Sequence, residues 1–142
     1  MPTTTEAAEA TGVRYETLRN WLKKGLLADQ ISASAGATHK WRNFSAIDIF
    51  KLRLTKDALS AGVPLNVITE ICNDPELDTF IEDDEISGSG LSVFPGMFVL
   101  IWTTMPEALY MFAEVNTIPA ELKRNRAPAT LLSLEYAAIR HG

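Results

Sequence analysis

The residues best suited to binding chemistry lie near the N-terminus, where apolar and cationic side chains alternate. Tyr15, Leu18, Trp21 and Leu22 recur at intervals of three and four, which predicts an amphipathic helix. The positions between them are cationic or hydrogen-bonding: Arg14, Arg19, Asn20, Lys23 and Lys24. Guanidinium, ammonium and amide groups in such a row can contact phosphates and the edges of nucleobases.

A shorter helix is predicted before it. Thr3 followed by Glu6 has capping-box spacing, and small helix-forming alanines run from there to Gly12. A short helix, a glycine turn and a second helix with a polar face is the arrangement that inserts the second helix into the major groove. The open alternative is an αα-hairpin with a solvated basic face. Gly25 should end the second helix, and Leu26-Leu27 should pack beneath it.

Two further helices are predicted beyond an aperiodic stretch of small and polar residues, 28–40. This stretch runs into His39-Lys40-Trp41-Arg42 and suggests a loop or hairpin tip. Ser45 with Asp48 is a second cap signal, and a helix should run from there to Ala61-Gly62. The next helix should start at Pro64, since proline suits the first turn of a helix.

The segment from 73 to 90 is predicted to be a short helix and a linker. Asp74-Pro75 looks like a cap and a first turn, with the helix running through Leu77, Phe80 and Ile81. An acidic run, 82–85, should end this helix, and Ser87-Gly88-Ser89-Gly90 is the best linker candidate.

Beyond the linker the composition favours strands. Met97–Trp102 and Leu109–Val115 are apolar and β-rich, and Met105-Pro106-Glu107 between them predicts a hairpin turn. The segment 129–139 suits either a helix or a third strand, and we favour the strand. We therefore predict an α+β fold: a DNA-binding domain over 1–72, mostly helical with a small wing, then 73–90, and a small β-rich domain over 91–142.

The composition excludes several classes of function. One cysteine, Cys72, and two histidines give neither an internal disulfide nor metal-ligand spacing, and Cys72 should be a buried thiol. We expect no cofactor and no enzyme, because the sequence lacks a carboxylate pair, a nucleophile with its base and a phosphate-binding loop. With neither a signal peptide nor a membrane-spanning run, we expect a cytoplasmic protein.

The charge is unevenly distributed along the chain. Residues 1–63 carry nine basic and six acidic side chains, a net charge of +3, whereas residues 64–142 carry four and twelve, a net charge of −8. A polyanion would attract the basic part, residues 1–63, and repel the acidic part, residues 64–142, which would orient the molecule. Ordinary solvated surface remains the alternative interpretation of the charge.

The order of these pieces resembles the MerR family of regulators over roughly residues 3–71. The pieces are Thr17-Leu18-Arg19-x-Trp21, Gly25-Leu26-Leu27, Trp41-Arg42-Asn43-Phe44-Ser45, Asp48 with Leu52, and Gly62-Val63-Pro64-Leu65-x-x-Ile68. By this resemblance the recognition helix would contact DNA through Arg14, Tyr15, Thr17, Arg19, Asn20 and Lys23, and the wing through His39, Lys40 and Arg42. The family usually has Ser or Thr at the position of Arg14, where it caps the helix.

The resemblance implies a DNA-binding transcription regulator, and we expect a repressor that acts as a homodimer on double-stranded DNA. Typical members continue into a long dimerising helix, whereas this chain breaks at Asp74-Pro75. We therefore predict that residues 86–142 hold the dimer together and that residues 1–72 alone are monomeric. The alternative dimer interfaces are the third helix and the segment of Leu77, Phe80 and Ile81. The rivals are an excisionase-like architectural or recombination-directionality factor and a protein-interaction module without a DNA role.

The rear aromatic residues have two interpretations. Trp102, Tyr110, Phe112 and Tyr136, together with Met111, could line a pocket for an apolar small-molecule effector. Core packing is favoured, since a domain this small needs its aromatic side chains inside.

Overall fold

The structure, a computed structural model, describes residues 4–27, 44–84, 90–93, 96–102, 109–118 and 129–134. Within them the helices are α1 (Thr4–Thr11), α2 (Tyr15–Lys23), α3 (Ala46–Ser60), α4 (Leu65–Cys72) and α5 (Pro75–Asp78). The strands are β1 (Ile81–Asp84), β2 (Gly90–Val93), β3 (Met97–Trp102), β4 (Leu109–Glu114) and β5 (Thr130–Ser133), with a 3-10 turn over Val115–Thr117.

Helices come first and sheets second, which confirms the predicted α+β fold. Strands β3 and β4 form the expected antiparallel hairpin, with Met97 opposite Glu114 and Trp102 opposite Leu109. Strand β5 pairs antiparallel with the other side of β3, so the order is β4-β3-β5 and the strand interpretation of Thr130–Ser133 is confirmed. The segment 135–139 lies outside the described residues.

Local signals set the start of α3 as the sequence predicts, and α4 starts one residue later than predicted. The Ser45 hydroxyl accepts a hydrogen bond from the Asp48 amide (3.2 Å), and the Asp48 carboxylate accepts one from the Ser45 amide (3.0 Å). This reciprocal pair satisfies two amides that the first turn of α3 leaves without a helical partner. Pro64 is the N-cap residue of α4, one position before its first turn.

The prediction for residues 78–90 was wrong in part. Helix α5 ends at Asp78, and Ile81 begins a strand instead of completing the helix. Residues 82–84 and Gly90 also belong to strands, since β1 and β2 pair antiparallel from Ile81 opposite Val93 to Asp84 opposite Gly90. The prediction was wrong because it relied on the helical spacing of Leu77, Phe80 and Ile81. The backbone hydrogen bonds of β1 are instead made with β2, which comes later in the chain. The rest of the linker candidate, 87–89, lies outside the described residues.

One apolar core joins the helices to the sheet. Leu18 of α2, Phe50 of α3 and Ile68 of α4 belong to the same buried cluster as Val99 and Ile101 of β3. The opposite face of the sheet has a smaller cluster around Leu100 and Trp102. Trp102 is therefore a core residue, as expected, while Tyr136 lies outside the described residues.

We predict that Trp21→Ala lowers the free energy of unfolding by about 3–5 kcal/mol, because it leaves a cavity in a core of this size. Trp21 is 5% exposed and belongs to the shared core. Chemical denaturation of the full chain measures the loss. Lys24→Ala, at the exposed C-cap of the same helix, should change stability by less than about 0.5 kcal/mol. A Trp21→Ala protein as stable as the Lys24→Ala control would contradict this assignment.

Candidate nucleic-acid interface

Helix α2 separates an apolar buried side from a polar exposed side. Leu18, Trp21 and Leu22 are at most 5% exposed, so this side anchors the helix to the core. The exposed residues are those that the sequence put forward for contact: Arg14, Tyr15, Arg19, Asn20 and Lys23. Thr17 is half-buried, at the boundary between the two sides.

The exposed side has a defined shape. Glu16, Arg19, Asn20 and Lys23 line a shallow depression of about 230 Å³. Tyr15, one of the few large exposed hydrophobic residues, lies beside it, and the Arg19 guanidinium carbon is 5.8 Å from the centroid of the Tyr15 ring. A cation over an aromatic face is stabilised by the ring quadrupole, which restrains Arg19 while leaving its N–H groups available.

Glu16 is the residue of this depression that the sequence interpretation missed. The signal was present, since Glu16, Asn20 and Lys23 are spaced by four and three and so share one helix face. A carboxylate among the cations opposes phosphate binding but can accept a hydrogen bond from the cytosine amino group. The depression therefore combines cationic, amide and carboxylate groups, which suits recognition of base edges as well as backbone.

The turn that aims α2 is fixed from α3. Gly12 has φ of +72°, a left-handed conformation that glycine adopts without strain, and the flexible end of the Lys56 side chain lies close to it. Lys56 Nζ donates to the Thr11 carbonyl (3.2 Å), and Arg53 Nη2 donates to that of Ala10 (3.4 Å). Cations at the C-terminus of α1 satisfy its last carbonyls and complement the helix dipole.

The N-terminus of α2 is less regular. Arg14 is the N-cap residue with extended backbone, and its side chain makes no capping hydrogen bond. This agrees with the departure from the usual Ser or Thr, and it leaves the guanidinium exposed at the end of the helix where anions are favoured. The predicted wing residues His39, Lys40 and Arg42 lie outside the described residues.

Other chemistry finds little support in the described part of the chain. Cys72 is fully buried, and burial raises the pKa of its thiol to about 11, which disfavours the reactive thiolate. Over the described ranges there is no group of three or more potential metal ligands. Among the helices that the structure describes, none has the length and apolar character to cross a membrane.

Comparison with known proteins agrees with this geometry. The family model of the MerR HTH family regulatory proteins matches residues 3–74, just over half of the 142 residues. No curated protein matches the chain. Regulators of this kind bind DNA and are typically not enzymes. The polar face of α2 and the matched segment lead to one conclusion: the chain belongs to the MerR family of helix-turn-helix transcription regulators.

Proposed function

We propose that this protein is a sequence-specific, cytoplasmic repressor that binds double-stranded DNA as a homodimer, with α2 in the major groove and the wing on the flanking backbone. The observation that carries the DNA-reading part is the exposed side of α2. There Glu16, Arg19, Asn20 and Lys23 line one depression on a firmly anchored helix, and the Tyr15 ring lies against the Arg19 guanidinium. A helix held rigidly on its apolar side loses little conformational entropy when it enters a groove.

The charge distribution supports this orientation. Residues 14–24 carry four basic side chains and one acidic side chain, whereas residues 64–142 have a net charge of −8. Cations near the phosphates release condensed counterions, and the acidic rear disfavours approach in the opposite sense.

Repression is the simpler regulatory role for this chain. Occupying an operator requires no distortion of the DNA, whereas activation by DNA distortion depends in this family on the dimer built by a long helix. Here α4 ends at Cys72 and α5 is a separate helix of four residues. A reporter gene placed behind the operator of this protein shows whether binding lowers or raises transcription. Increased transcription on binding would contradict repression.

Selection of bound fragments from a random DNA pool tests sequence-specific binding and supplies the operator. A regulator should enrich one motif, and its affinity should fall linearly with the logarithm of salt concentration. Binding without an enriched motif, accompanied by strong bending, would favour an architectural factor. No salt-dependent binding at all would favour a protein-interaction module.

We predict that Arg19→Ala weakens binding to the selected operator by about 1–3 kcal/mol and relaxes specificity at one base position. The fold should be unaffected, because Arg19 is exposed on the side of α2 away from the core. Lys24→Ala is the matched control, since it removes the same charge from the C-cap position outside the depression. Equal operator affinity for Arg19→Ala and Lys24→Ala, with equal thermal melting, would remove Arg19 from the interface.

Dimerisation through the sheet is the second part of the proposal. In the described sheet β3 is central, so the free edges belong to β4 and β5. Leu109, the first residue of β4, is 45% exposed, and Val115, which follows β4 in the 3-10 turn, is 51% exposed. A groove of about 350 Å³ runs beside it, lined by Phe80, Met97, Met111, Phe112, Ala113, Glu114 and Thr117.

The sequence of β4 suits pairing with a second copy of itself. Edge strands are usually protected by charges or proline, but Leu109–Glu114 has only Glu114 at its end. Antiparallel pairing centred between Met111 and Phe112 would set each Glu114 opposite Leu109 of the second copy, so like charges stay apart. This pairing would relate the two recognition helices by a two-fold axis, as a palindromic operator requires.

We predict that Leu109→Glu weakens the homodimer at least about tenfold, because each new carboxylate would lie directly opposite Glu114 of the second copy. Leu131→Glu is the matched control: Leu131 is also 45% exposed and lies on the same face of the sheet, but on the opposite edge, in β5. Sedimentation of the full chain measures both, and the full chain is required because helices and sheet share one core. A monomeric wild type, or a dimer weakened only by Leu131→Glu, would contradict pairing through β4.

A further inference from the structure

The turn after the recognition helix adopts a strained conformation. Gly25 has φ of +100° and Leu27 has φ of +56°, so two of three consecutive residues are left-handed. Leucine rarely adopts this region, and such a residue persists only where its surroundings hold it. Leu26 and Leu27 are at most 4% exposed, so apolar burial holds the turn from below.

The side chain of Asn73, at the end of α4, also holds this turn. Asn73 Nδ2 donates a hydrogen bond to the Gly25 carbonyl at 2.8 Å. Asn73 is itself the C-cap residue of α4, where its backbone amide donates to the Thr69 carbonyl. The contact joins residues 48 positions apart in sequence. Local helix propensity does not favour this hydrogen bond, so the bond forms only when the domain is folded.

The next residue in the chain, Asp74, is tied to the sheet. Its Oδ1 accepts from the Glu76 amide (2.9 Å) at the start of α5, and its Oδ2 accepts from the Tyr110 hydroxyl of β4 (2.7 Å). Burial, and then the hydrogen bond and charge of Asp74, raise the pKa of Tyr110 above its usual value. The phenol therefore remains a donor throughout the physiological pH range.

The Tyr110 ring is held in its own cluster. Its centroid lies 5.9 Å from that of Phe112, which in turn lies 5.5 Å from that of Phe80, just before β1. Contacts of this kind restrain the ring in a fixed direction. A displacement of β4 would therefore move Asp74 through its hydrogen bond with the Tyr110 hydroxyl. Asn73 would move with it, because Asn73 and Asp74 are joined by one peptide bond.

We propose that Asn73 and Asp74 are positioning residues for the recognition helix, and that the sheet controls the end of α2 through the Tyr110–Asp74 hydrogen bond. This inference rests on the proposed role of α2 in reading DNA. None of these three residues lies on the exposed face of α2. They act on DNA binding by holding the turn at Gly25 in one conformation before DNA arrives.

Tyr110→Phe and Asn73→Ala test the proposal in the full chain. The first removes one hydroxyl while keeping the ring among its aromatic neighbours, and the second removes the amide that holds Gly25. Each should weaken binding to the selected operator by about two- to tenfold, the equivalent of one hydrogen bond. The slope of affinity against salt should stay unchanged, because no phosphate contact is lost.

Two measurements separate positioning from a general structural effect. Because Tyr110 acts through Asn73, the double variant should bind no more weakly than Asn73→Ala alone. In the free protein, exchange of the Leu26 amide, which donates to the Trp21 carbonyl (3.1 Å), should accelerate in both variants. Exchange within α3 should not change.

Asp78→Asn is the matched control. It breaks the 2.7 Å ion pair between Asp78 of α5 and Lys51 of α3, a second polar contact of the same short helix that does not lead to Gly25. Its operator affinity and Leu26 exchange should equal those of the wild type.

The outcomes are distinguishable. If the wild type selects no operator, the proposed function fails, and the Leu26 exchange rate alone decides the inference. If the wild type binds the operator and Tyr110→Phe and Asn73→Ala bind it with the same affinity as the wild type, the inference is overturned while the proposed function stands. Additive losses in the double variant, or unchanged Leu26 exchange, would also overturn it.

Discussion

The structure depends on α3 being buried on more than one side. Phe50, Leu52, Leu54 and Ala58 are fully buried, and the helix packs against α1 and α4 as well as against β1, β2 and β5. A surface helix normally hides one stripe, so a helix with apolar residues around most of its circumference must lie between two layers. Both the recognition helix and the sheet are therefore placed relative to α3.

Polar contacts of α3, in addition to its apolar packing, fix the positions of the neighbouring helices. Arg53 and Lys56 bind the last carbonyls of α1, and Lys51 pairs with Asp78 of α5. Thr55 returns its hydroxyl to the Lys51 carbonyl at 2.8 Å and lies 3.5 Å from the Cys72 sulfur. These contacts extend along the helix, so α1, α4 and α5 take fixed positions on it. The buried thiol is part of this packing, which accounts for a cysteine with no redox partner.

The junction at Asn73 and Asp74 lies where typical members of the family continue into a long helix, and the chain breaks there as the sequence predicts. The chain turns at this point instead of continuing, and Asp74 serves both as the N-cap of α5 and as the acceptor for Tyr110. Helices and sheet consequently share one core, instead of being connected by an extended element. The division into domains at 1–72, 73–90 and 91–142 remains a prediction, although this core crosses it.

The sequence by itself determined the elements whose signals are local: the capping box of Ser45 and Asp48, the alternation that buries Leu18 and Trp21 while exposing Arg19, and the β3–β4 hairpin. The polar face of α2 was predictable because helical period alone decides which residues share a side. Only the tertiary structure decided that Ile81 begins a strand and that Gly25 meets Asn73. Both depend on a backbone group finding a partner far away in sequence, and no local pattern encodes that choice.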